Sequence, residues 1–373
     1  MKTTSKQTRM GMSYMIGGFF FMLLFLAFSH PLMGQTSKPI VIERNKDYEK
    51  KYIFLQNVAS KVEYVPLETT DNSLLDDVRF LSDIRIVENH IFILIRYTLF
   101  HFDRSGHFLN TLSVAGQGPE EVLNASTLVV DHEHEQIGVM DMQKSSIVYY
   151  TYSGKFVKKE TLPYEVSYAI NLEDVLVCWN TDIPVNPSLY IYSPKNKETK
   201  TLSGAYSKTS GLPYRLMGVP AFSINREEVF LNSRLTADTV YAVSATAKRP
   251  AYIVLPSNDR EDPRKDEKMA FPVLYFETSS WANVFLYGKN PRIVKSYMID
   301  KKNNQIYEGC LVNIETSSPI YAYNSSQDDQ IVCFYEMEFL NRCKEAGHLS
   351  GELKEILKKA EVEDNPVLLI ATF

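Results

Sequence analysis

The sequence predicts an all-β fold, a six-bladed β-propeller, and three observations carry that expectation. A strand–turn–strand pattern recurs, with its glycines, Gly106 and Gly154, 48 residues apart. The composition suits pleated surfaces: 23 Tyr, 20 Phe and 45% hydrophobic residues in a chain of 373. Only one stretch, 336–362, is polar and helix-prone, whereas a parallel α/β fold needs a helix between successive strands.

The repeat is clearest in two segments. Leu99 to Leu109 reads LFHFDRSGHFL and Val148 to Val157 reads VYYTYSGKFV. Each is an alternating strand, a Ser-Gly turn and a second strand. Weaker echoes start at Leu189, Thr239 and Val294. Val65-Pro66, Leu162-Pro163 and Leu255-Pro256 each end a strand-like run. Proline cannot donate to a sheet ladder and belongs on edge strands, so its return at about two repeat lengths fits every second blade. A pair of β-sandwiches would not give the 48-residue echo so readily.

Cutting on these marks gives four-stranded units over 78–114, 125–161, 165–204, 219–255 and 273–313. The sixth begins near 317, contains Gln330 to Tyr335, detours through 336–362 and resumes at Val367 to Ile370. Its missing fourth strand is expected from Val62 to Leu67, so an N-terminal strand closes the last blade and the helical stretch is an insertion within it.

The first 34 residues carry Lys2, Lys6 and Arg9, then a 13-residue apolar run from Ile16 to Phe28, then a break with a small residue at Gly34. That order predicts a cleavable signal peptide over 1–34. The alternative is a membrane anchor, which needs about 20 apolar residues. No cysteine precedes Cys178, which excludes a lipoprotein signal. The expected organisation is 1–34 signal peptide, 35–59 lead-in and 60–373 propeller, in the periplasm or secreted, with no stable membrane span after cleavage. Without the signal the balance is 37 basic against 45 acidic residues, a poor match to nucleic acid. Cys178 and Cys333 sit in apolar runs and, with Cys310 and Cys343, read as buried thiols; a Cys333–Cys343 pair is the alternative.

Four motifs resemble a known family. Glu63 to Thr70 (EYVPLETT) looks like an opening "YIPLETT" segment, and Phe102 to Phe108 looks like an "FDKxGKF" turn. Gly116 to Glu121 is similar to a "GxGPGE" loop, with Glu120 where that family usually has Gly. Asp364 to Leu368 looks like a closing "NPVL" strand. The family is the six-bladed β-propeller group of uncharacterised exported proteins of Bacteroides-type bacteria. The resemblance spans about residues 60–373 and implies six blades and export, with no assigned activity.

In such a register, loops joining second to third strands and loops joining successive blades emerge at one rim. There the sequence places Arg96 and Tyr97, the 116–121 loop with Gln117 and Glu120, Asp141 to Lys144 with Gln143, the 180–187 loop beside Trp179, Ser233 and Arg234, and Tyr287 to Lys289. Loops on a rigid scaffold are where binding resides. The glycine loop lacks the helix and lysine of a phosphate cradle and reads as an inter-blade turn. The cluster Asp131 to Glu135 reads as a solvated hairpin tip, so no metal and no cofactor are expected. Trp179 and Trp281 suit packing or sugar stacking; Arg96 and Arg234 suit an anionic ligand or an ion pair. The expected function is an exported binding module for a glycan, a peptide or a cell-envelope protein. The alternatives are a propeller hydrolase or lyase on a carbohydrate-derived substrate, lactonase-like or polysaccharide-lyase-like, and structural assembly with an outer-membrane complex.

Overall fold

A computed structural model describes residues 38–75, 77–113, 115–180, 186–203, 222–232, 238–255, 271–287, 293–324 and 329–373. The signal-peptide expectation for 1–34 lies outside them, as do Ser233, Arg234, Gly288 and Lys289. No helix among the described residues is long and apolar enough to cross a membrane.

The chain enters through β1 (Ile40–Glu43), β2 (Ile53–Phe54), the single turn α1 (Leu55–Val58) and β3 (Lys61–Pro66). An antiparallel meander follows: β4 (Leu81–Val87), β5 (His90–Ile95), β6 (Thr98–Asp103) and β7 (Phe108–Ser113). The next is β8 (Ala125–Asp131), β9 (Gln136–Asp141), β10 (Ser146–Thr151) and β11 (Phe156–Thr161). The 48-residue echo has a physical basis in these two sheets. Each third strand shifts register just before its turn, pairing Phe102 with Phe108 and Tyr150 with Phe156. Gly106 and Gly154 then take φ +92° and +86°, a left-handed conformation that favours glycine. At Gly106 space is limiting too, since a Cβ would lie 2.1 Å from the Pro66 carbonyl oxygen.

The third meander is β12 (Tyr168–Leu172), β13 (Val175–Trp179), β14 (Leu189–Ser193) and β15 (Glu198–Ser203). The fourth is β16 (Phe222–Asn225), β17 (Glu228–Leu231), β18 (Thr239–Val243) and β19 (Lys248–Leu255), with β1 added parallel on its outer edge. The fifth is β20 (Phe271–Glu277), β21 (Trp281–Tyr287), β22 (Ile293–Asp300) and β23 (Gln305–Glu308). Then come β24 (Leu311–Asn313), β25 (Ser318–Pro319), β26 (Tyr323–Asn324) and β27 (Gln330–Tyr335). Two helices, α2 (Met337–Glu345) and α3 (Gly351–Leu357), precede the last strand, β28 (Val367–Thr372).

This is an all-β propeller, but the expected six blades are corrected: the strands form seven sheets. Residues 311–313, assigned from sequence to the fifth unit, pair with β2 and β25 in a separate three-stranded sheet. Strands of two and three residues are too short to show alternation, so this sheet left no periodic trace. Residues 39–59 supply β1, β2 and α1. The last sheet runs β26-β27-β28-β3, with Leu368 opposite Val65 and Leu369 opposite Tyr64.

The core lies between sheets. Ile91, Ile93 and Phe102 pack on Val65, Leu368 and Ile370; Phe92 and Leu94 pack on Val139, Val148 and Tyr150. Each such buried side chain contributes about 1.5–3 kcal/mol by area.

First strands of successive sheets lie side by side at four places, β4 beside β8, β8 beside β12, β16 beside β20 and β20 beside β26. These inner edges carry backbone groups that no ladder satisfies, and asparagines fill the gap. Asn171 accepts from the Val130 N–H at 3.1 Å and donates to its carbonyl at 2.8 Å. Asn232 does the same to Leu274, at 2.9 and 2.8 Å, and Asn324 to Glu277, at 2.8 Å both ways. Each amide imitates one residue of an adjoining strand.

Candidate functional site

In every meander the start of the first strand and the end of the second share one end of the sheet, as Leu81 and Ile95 do. Connections between second and third strands, and between successive sheets, therefore emerge together.

Arg96 and Tyr97 form the β5–β6 turn at this end. Arg96 has φ +53°, its N–H donates to the Phe80 carbonyl at 3.3 Å, and its guanidinium lies 3.9 Å from the Phe80 ring centroid. Tyr97, the next residue, is 41% exposed.

The 116–121 loop is closed on itself. The Gly118 N–H donates to the Glu121 carboxylate at 2.8 Å, and Tyr150 donates its hydroxyl proton to the Glu120 carbonyl at 2.5 Å. An anion would have to displace an internal carboxylate, which argues against a phosphate cradle. The side chains of Gln117 and Glu120 are exposed. Asp141 is buried and accepts the N–H groups of Leu123, Asn124, Gln143 and Lys144 at 2.9, 3.3, 3.0 and 3.2 Å. Asp141 thereby holds two connections together, with Gln143 exposed at the turn.

Trp179 and Tyr287 lie inside. Trp179 stacks on Tyr168 at 5.3 Å and meets the edge of Phe222 at 5.4 Å, offering solvent only 1% of its surface. Phe222 in turn faces the Arg85 guanidinium at 5.3 Å. Arg85, on β4, is buried and donates to Asp83 at 2.8 Å. Tyr287 is buried, its hydroxyl 2.5 Å from that of Tyr275. Tyr275 and Phe285 both contact the ring of Tyr321, at 6.4 and 5.6 Å.

Two exposed rings at this end were not singled out from sequence. Tyr164, 40% exposed, sits in the β11–β12 connection edge-on to Tyr190 at 5.2 Å. Tyr321, 49% exposed, sits between β25 and β26. The available signal was positional: both lie in the connections that lead into the first strand of a sheet.

At the opposite end, His134 pairs with Asp131 at 2.8 Å and His132 with Glu88 at 3.2 Å, all partly or fully solvated. Among the described residues no group of three His, Cys, Asp or Glu is placed to hold a metal ion. All four cysteines are free and buried, and burial pushes the thiols of Cys178 and Cys333 up to about 12.

Residues 39–372 match a domain of unknown function, DUF4934. No curated protein matches. Among solved structures, an exported-protein candidate from Bacteroides fragilis aligns with a TM-score of 0.66 and 18% identity, covering 90% of this chain and 99% of that one. A streptogramin B lyase aligns at TM-score 0.42 and 11% identity, covering 73% of this chain and 83% of that one. The extracellular domain of a two-component system from B. thetaiotaomicron aligns at 0.40 and 12%, covering 73% of this chain and 32% of that one. The likeness to the Bacteroides fragilis protein is one of fold.

Proposed function

The chain belongs to the DUF4934 family, and from that premise we propose that it is an exported binding module for a glycan, a peptide or a cell-envelope protein. The binding surface is the end of the sheets that carries the inter-sheet connections. The observation that carries this reading is the set of exposed tyrosines there, Tyr97, Tyr164 and Tyr321, of which Tyr164 is backed by Tyr190 and Tyr321 by Tyr275 and Phe285. Rings held in place lose little entropy on binding and present both an apolar face and a hydroxyl. Arg96, Gln117, Glu120 and Gln143 supply polar groups around them. The pairing of β28 with β3 is read as ring closure, and α2–α3 as an insertion flanking the same end. Export, to the periplasm or beyond, is supported by the charge and apolar pattern of residues 1–34 and by the exported-protein description of the Bacteroides fragilis structure.

The test is a glycan and peptide array probed with the purified protein and with the Tyr97→Ala/Tyr164→Ala/Tyr321→Ala variant. Each ring contributes about 0.5–1.5 kcal/mol beyond its area, so the variant should bind roughly tenfold or more weakly while circular dichroism shows it still folded. Equal binding by the two proteins refutes the assignment of this surface.

A further inference from the structure

Three segments singled out in the sequence meet at one cleft. The end of β3 with Leu67 to Thr69, the β6–β7 turn at Ser105 to His107, and the stretch before β28 at Asp364 and Asn365 enclose it with α3. Its volume is about 590 Å³, within the range of about 300–1,000 Å³ typical of ligand sites. Leu67, Met337 and Ile356 give the cleft an apolar lining. Glu68, Glu352, Glu355 and Asp364 also line it, against one lysine, Lys359.

The carboxylates are not neutralised in proportion. Glu68 accepts the Phe108 N–H at 2.7 Å and Asp364 accepts the Glu361 N–H at 2.8 Å. Both contacts fix a carboxylate with an uncharged donor and leave its charge in place. Glu355 pairs with Lys358 at 2.7 Å, but both are exposed, so the pair is weak. None of Tyr97, Tyr164 and Tyr321 lines the cleft, so it is a second site, independent of the reading above.

We propose that this cleft docks a short basic peptide segment, its lysines or arginines against Glu68, Glu352, Glu355 and Asp364 and one apolar side chain against Leu67, Met337 and Ile356. Charge complementarity selects the occupant: an acidic segment would meet like charges on most of the rim, and a purely apolar one would strand them. The cleft suits a single anchor side chain with flanking cations rather than a flat interface.

The test is fluorescence anisotropy with a labelled Lys-Leu-Lys-Leu-Lys peptide at low and high salt. Binding is expected at low salt, should weaken as salt screens the charges, and should fall by about tenfold or more in Glu352→Gln/Glu355→Gln. Both side chains are exposed, so that variant should keep its melting temperature. Ile356→Ala should weaken binding at both salt concentrations. Glu133→Gln/Glu173→Gln changes net charge equally at exposed positions outside the cleft and should leave binding intact. The proposal is overturned if the low-salt peptide does not bind, if the two double variants lose binding equally, or if a Glu-Leu-Glu-Leu-Glu peptide binds as well.

Discussion

Asn365→Ala should be among the most damaging single substitutions in this chain. Asn365 is 1% exposed and immediately precedes Pro366 and β28. Its side-chain oxygen accepts the Leu75 N–H at 2.8 Å, and its amide nitrogen donates to the carbonyls of Glu68 and Ser73 at 2.8 and 2.9 Å. One side chain thus satisfies three backbone groups of the connection between β3 and β4. Alanine removes all three partners at once in a place shielded from water, and each buried group left unsatisfied costs about 1–3 kcal/mol. Allowing for partial relaxation, the loss is about 3–6 kcal/mol, against a typical net stability of about 5–15 kcal/mol. Urea unfolding followed by tryptophan fluorescence reads this as a large fall in midpoint. Asn365→Asp should be no better, since it keeps an acceptor for Leu75 but sets a carboxylate against two carbonyls. A midpoint shift worth less than about 1 kcal/mol for Asn365→Ala would refute the claim that this residue latches the two ends of the body together.

Two further outcomes follow from local geometry. His101 is buried, with its Nε2 2.8 Å from His90 Nδ1 and its Nδ1 3.1 Å from the Tyr152 carbonyl; burial first, and the His90 neighbour second, bring its pKa down to about 4. The unfolded chain takes up that proton near pH 6.5 and the fold resists it, so the contribution is complete above about 6.5 and is lost as pH falls toward about 4. Urea midpoints at about pH 7.5 and about pH 5 should differ by up to about 2 kcal/mol from this residue, a slope that His101→Gln should flatten and that its persistence would count against. Gly106→Ala should cost more than Gly347→Ala in melting temperature. Both have positive φ, but a Cβ at Gly106 meets the Pro66 carbonyl at 2.1 Å while at Gly347 nothing lies within 4 Å. Gly347→Ala should show only the backbone cost of about 1–2 kcal/mol; equal losses would remove the close-contact argument.

The sequence motifs that resemble a family contribute to the scaffold, and three of them also border the cleft beside α3. Asp103 and Gly106 shape a turn packed against Pro66, Glu121 ties down its own glycine loop, and Asn365 with Thr69 and Ser73 binds the chain ends. They made the fold legible because tight turns and buried hydrogen bonds demand particular residues. Binding surfaces make no such local demand, so Tyr164 and Tyr321 stood out only once the connections were placed in space. For Trp179 the sequence left packing and sugar stacking both open; its burial depends on Tyr168 and Phe222, and Phe222 begins a strand of the next sheet.

Period-two alternation and turn glycines by themselves determined that the chain is all-β, built of repeated four-stranded meanders with boundaries near those observed. That information is local, carried by neighbours along the chain. The seventh sheet, the parallel addition of β1 to β19 and the asparagine bridges between neighbouring sheets were decided only in three dimensions. Each joins segments far apart in sequence through four residues or fewer, and so few residues satisfy a hydrogen-bond requirement without leaving a periodic signal.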